Sequence, residues 1–83
     1  MDSSGALNTY FLLGGTYMIE VTKMNGQKVL INPNLIEVVE ETPDTVISFS
    51  TGRKIIVKES RQEVKNLVLS YKKDIYANLL KID

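Results

Sequence analysis

Cysteine, histidine and tryptophan are all missing from this 83-residue chain, and each absence closes a class of chemistry. Without cysteine there is no disulfide, no thiolate nucleophile and no thiolate metal ligand. Without histidine there is no imidazole base and no Ser-His or Cys-His pair. Charge of one sign is lacking too: ten Lys and Arg balance ten Asp and Glu, which does not support a strongly basic nucleic-acid binder. No apolar run approaches the roughly 18 residues of a membrane span. No Lys or Arg precedes Lys23, so the start lacks the positive region of a secretory signal. These absences predict a soluble intracellular domain with no catalytic residues, no cofactor and no metal, acting through a surface.

Two segments differ in texture. Residues 1–17 carry one charge and are rich in Gly and Ser, with the apolar stretch Tyr10–Leu13 running into Gly14-Gly15. A Gly pair is a flexible joint. This extension reads either as a tag or an over-extended start, Met18 being able to serve as the first residue, or as a tethered apolar peptide able to add a strand or fill a groove. Residues 18–83 form a single domain. Its first part alternates apolar and polar residues between turn dipeptides: Asn25-Gly26, the Asn32-Pro33-Asn34 break, Thr42-Pro43-Asp44 and Thr51-Gly52. These bound five short strands, at 18–24, 28–32, 35–41, 45–50 and 53–58. Every connection is too short for a parallel crossover, so the order is antiparallel.

At Ser60 the period changes. Ser60-Arg61-Gln62-Glu63 is a capping box, in which the Ser hydroxyl and the Glu carboxylate satisfy each other's backbone N–H. Helical spacing then runs to about Leu80, with Val64, Leu67, Val68, Tyr71, Ile75 and Leu79 on one face. The predicted fold is α+β: a small antiparallel sheet of about five short strands followed by one C-terminal helix packed on it. Leu69, Tyr76 and Leu80 form a second apolar ridge about 130° around the helix. Either the sheet curls around to cover it, or it meets residues 1–17, a partner or a second copy of the chain.

The zero net charge hides a dipole. Residues 32–50 hold four acids (Glu37, Glu40, Glu41, Asp44) and no base, whereas residues 53–81 hold eight bases against three acids. Arg61, Lys65 and Lys72 lie in a narrow arc between the packing face and the second ridge. The candidate protein-binding residues are therefore Leu69, Tyr76, Leu80, Lys65, Lys72 and Lys73 on the helix, with Arg53 and Lys54 at the last strand. The acids of residues 37–44 lack EF-hand spacing and suit a solvated edge strand better than a divalent-metal or hydrolase site. No phosphate loop, GxGxxG motif or nucleophile elbow is present.

The order of the motifs resembles the SwrD/FlbD family of small flagellar and swarming-motility proteins over residues 18–75. The opening Met18-Ile19-Glu20-Val21-Thr22-Lys23-Met24-Asn25-Gly26 matches, as do Asn32-Pro33-Asn34-Leu35-Ile36-Glu37, Glu41-Thr42-Pro43-Asp44-Thr45-Val46-Ile47 and Thr51-Gly52-Arg53-Lys54 leading to Val57-Lys58-Glu59-Ser60. The resemblance implies a cytoplasmic bacterial protein at the flagellar base, without enzymatic activity or cofactor. It implies a role in swarming by raising motor power through contact with stator units. It carries over no binding residues. A rival reading is a LytTR-like nucleic-acid-binding regulator using Arg53, Lys54 and Lys58, with binding that falls steeply with salt.

Overall fold

The computed structural model describes residues 10–14 and 16–80, with side chains described for 14 and 16–73. Six strands precede one helix: β1 (Tyr10–Leu13), β2 (Thr16–Thr22), β3 (Lys28–Ile31), β4 (Ile36–Glu41), β5 (Thr45–Phe49), β6 (Lys54–Val57) and α1 (Arg61–Leu80). The α+β class and the single C-terminal helix are as predicted. The five expected strands are present, each within two residues of its expected bounds. They are divided between two antiparallel sheets, β1-β2-β3 and β4-β5-β6. The extra strand, β1, comes from the N-terminal extension and pairs with β2 from Tyr10↔Ile19 to Leu13↔Thr16. Its turn uses Gly14 at φ +58. β2 itself starts at Thr16, and Tyr17 packs against the core.

The two sheets are built on the same hairpin. In β2–β3, Lys23 N–H donates to the Gln27 carbonyl and Gly26 N–H to the Lys23 carbonyl, both at 2.8 Å. In β5–β6, Phe49 N–H donates to the Arg53 carbonyl at 2.8 Å and Gly52 N–H to the Phe49 carbonyl at 2.9 Å. Gly26 and Gly52 take φ of +91 and +97, and no other residue type has positive φ among the described residues. Asn25-Gly26 is therefore not a two-residue turn with both positions left-handed. It is a longer loop that closes on a glycine bulge, with Met24 and Asn25 at its corner. In each loop the residue before the glycine accepts from the backbone beyond it: Gln27 N–H to Asn25 Oδ1 at 2.9 Å, Arg53 N–H to Thr51 Oγ1 at 3.5 Å.

Burial repeats with the geometry. Ile19, Val21 and Ile31 are buried in the first hairpin, and Thr45, Ile47 and Val57 at the matching places of the second. Leu30 and Ile56 both point outward. Segments 19–31 and 45–57 are thus one structural unit used twice. The units join where β2 ends: Lys23 bridges to Val57, and Lys58 N–H donates to the Thr22 carbonyl at 2.7 Å. A 3-10 turn over Pro33–Leu35 links the sheets, capped by Asn32, whose Oδ1 accepts from Asn34 N–H at 2.9 Å.

The core is Ile19, Val21, Ile31, Ile47, Phe49 and Val57 from both hairpins, closed by Val64 and Tyr71 of α1. Each fully buried aliphatic side chain contributes about 1.5–3 kcal/mol. The helix contacts β2 in one sheet and β4 in the other, so it lies across the junction and seals both.

Candidate functional site: a docking surface on the helix and a groove between the hairpins

The start of α1 is fixed from three directions. The capping box forms as expected: Glu63 N–H donates to Ser60 Oγ at 3.1 Å and Ser60 N–H to Glu63 Oε1 at 2.8 Å. Arg61 N–H donates to Glu41 Oε1 at 2.9 Å, a carboxylate placed favourably at the positive end of the helix dipole. Glu59 reaches back to β2, accepting from Thr22 N–H through Oε1 and from the Thr22 hydroxyl through Oε2, both at 2.8 Å. Further along, the Tyr71 ring lies 5.8 Å from that of Tyr17 at a tilt of 54°, a favourable aromatic geometry. Asn34 Nδ2 donates to the Tyr71 hydroxyl at 3.1 Å.

This anchoring orients the helix surface. Val64 and Tyr71 are buried, and Leu67 and Val68 are half-buried, which is the expected packing face. Ile75 and Leu79 lie outside the residues whose side chains are described. Leu69 is 51% exposed, so the second ridge is not absorbed into the core at that point. Lys65, Lys72 and Lys73 are exposed beside it. Tyr76 and Leu80 fall in the last turns of α1, also outside the described side chains. A shallow apolar depression runs from Leu69 and Lys65 across to Ile36 and Val39 of β4. The helix cations thus stand over an apolar strip, an arrangement suited to a protein surface bearing apolar side chains and carboxylates.

Arg53 and Lys54 do not join that surface. Arg53 immediately precedes β6 and Lys54 opens it, and the alternation of extended backbone sends the two to opposite faces. Arg53 lines a separate groove with Lys23, between β3 and the β5–β6 hairpin. Arg53 is therefore set apart from Lys65, Lys72 and Lys73 of the helix and lies on the strand face opposite Lys54. The sequence reading missed Lys23 and the groove. The available signal was the likeness of segments 19–31 and 45–57, whose paired tips frame it. Among the described residues no group of three or more Asp and Glu is placed to hold a metal ion, and Glu41 is engaged at the helix start.

A family model for flagellar and swarming motility proteins, FlbD, matches residues 18–76. That span takes in both hairpins, the turn between them and the anchored part of α1. The chain belongs to the FlbD family. This is a motility family and not an enzyme family. Residues 1–17 precede the matched span. No curated protein and no solved structure matches the chain. Among the described residues no helix is long and apolar enough to cross a membrane.

Within the family frame, the segments that carried the resemblance have structural tasks in this chain. Val57-Lys58-Glu59-Ser60 supplies a core side chain, the backbone bond to β2, the Thr22 clamp and the helix cap. Glu41 through Thr45 supplies a helix contact and a buried strand start. In these segments Val57 and Thr45 are buried and the carboxylates of Glu41 and Glu59 are engaged, whereas the side chains of Asp44 and Lys58 are exposed.

Proposed function

We propose that this FlbD-family chain is a non-enzymatic flagellar accessory protein that supports swarming by raising motor power through direct contact with stator units. The observation that carries the reading, beyond family membership, is the exposed Leu69 set among Lys65, Lys72 and Lys73 on a helix whose opposite face is locked to both sheets. A rigid helix presenting an apolar residue among cations is a common protein-docking element, and cations also speed encounter with an acidic partner. Cytoplasmic placement near the flagellar base belongs to the same proposal.

The double variant Leu69→Ser with Lys72→Glu tests it. Both positions are exposed, so the circular dichroism spectrum and Tm should stay near those of the parent. Swarming on soft agar should be lost, and stator proteins should no longer be recovered with the tagged chain from cell extracts. Normal swarming by a stably folded double variant would remove the helix surface from the mechanism.

A further inference from the structure

A groove of about 530 Å³ opens between the edge of β3 and the tip of the β5–β6 hairpin. Its floor is Val29, Ile31, Phe49 and Ile55, and among the described residues of the lining the titratable ones are Lys23 and Arg53, with no carboxylate. Among the described residues no carboxylate pairs with either cation. Leu30 and Leu35, along its β3 side, are 37% and 40% exposed. The site is apolar, cationic and open.

One wall is an unpaired strand edge. Lys23 N–H bonds to the Gln27 carbonyl, and hydrogen-bonded pairs alternate along an antiparallel ladder. Val21↔Val29 and Ile19↔Ile31 are therefore the bonded pairs. The backbone groups of Lys28 and Leu30 point away from β2. Thr22 obeys the same alternation, its N–H and carbonyl turning away from β3 to meet Glu59 and Lys58. Among the described residues no strand pairs with β3 on its outer side. The matching edge of β6 differs, because the end of β2 bridges to it at Val57.

We infer that the groove captures an extended acidic and apolar segment of a partner protein, which adds to β3 as a further strand. Its backbone pairs with Lys28 and Leu30. Alternate side chains of an extended segment point the same way, so apolar residues at every second position enter the floor. Its carboxylates meet Lys23 and Arg53, whose charges are uncompensated within the lining. Affinity in this mode comes from the main-chain ladder, and specificity from the pockets and charges. A nucleic-acid strand suits the groove less well, because Phe49 is the lone aromatic among the described residues of its lining and base stacking needs a platform. The groove is distinct from the outer helix face, so this inference stands or falls apart from the stator reading.

Titration of the ¹⁵N-labelled full chain with a synthetic peptide of about ten residues, alternating valine and aspartate, tests it. The expected result is saturable shifts of the Lys28 and Leu30 amide resonances and of the residues flanking Arg53. Arg53→Glu and Lys23→Glu should each weaken binding roughly tenfold or more. A peptide alternating valine and lysine should not bind. Leu30→Pro removes an outward N–H without touching the β2 ladder, so it should leave the fold intact and abolish binding. No shift at millimolar peptide, equal affinity for the two peptides, or shifts confined to α1 would overturn the inference. So would duplex DNA shifting the same resonances in place of the peptide, or sedimentation showing that β3 pairs with a second copy of the chain.

Discussion

Glu59 holds the segment after β6 against β2 through two hydrogen bonds to a single residue, Thr22. Its removal leaves the outward N–H of Thr22 without its acceptor, and hydrogen bonds to charged groups are worth about 1.5–3 kcal/mol each to stability. Because the site is only part-buried and water replaces some of what is lost, Glu59→Ala should cost about 2–3 kcal/mol for the two bonds together, read as a lowered denaturant midpoint with unchanged slope. Glu40→Ala, on the exposed part of the β4 edge, should fall within about 0.5 kcal/mol of the parent. The role of Glu59 is not legible in the sequence, because its partner lies 37 positions away and a lone Glu before a helix reads as a solvated charge. The pair Ser60 and Glu63 is legible because both halves of that exchange fall within one helical turn.

At the scale of elements, the hairpins depend on glycines whose backbone no other residue adopts cheaply. Nothing lies within 4 Å of a Cβ placed at Gly26 or Gly52, so substitution there is a matter of backbone conformation alone. Gly52→Ala should cost about 1–2 kcal/mol, and Gly52→Asn less, since Asn tolerates positive φ better. Thermal melts would check the order, with each kcal/mol moving Tm by about 4–8 °C in a domain of this size. An equal loss for Ala and Asn would contradict it. The existence of strands and turns was visible from dipeptides and alternation, as was the helix from its cap and period. The form of the Asn25-Gly26 turn was not, because two-residue and longer loops share that dipeptide and only the ladder register decides between them.

For the molecule as a whole, the N-terminal extension supplies a strand to one sheet, and β2 remains held by β3 on one side and by Lys58 and Glu59 on the other. Deleting residues 1–13 should leave a folded chain with the same spectrum. It should also expose the Thr16–Ile19 edge of β2 and give concentration-dependent self-association in sedimentation, since open strand edges template further pairing. A truncated chain that fails to fold would show β1 to be integral to the domain. By itself the sequence determined the types of β2 to β6 and α1, the helix start, the packing face of α1 as far as Tyr71 and the family, because each rests on spacing within a few residues or on motif order. It also marked Leu69 with its neighbouring lysines, since a helix displays its faces in its own period. Tertiary structure alone decided that the strands form two sheets from one repeated hairpin, that Arg53 parts from the helix cations, and that Lys23 joins it across a groove. Those outcomes depend on which strand edges meet, and that is set by contacts between segments far apart in the chain.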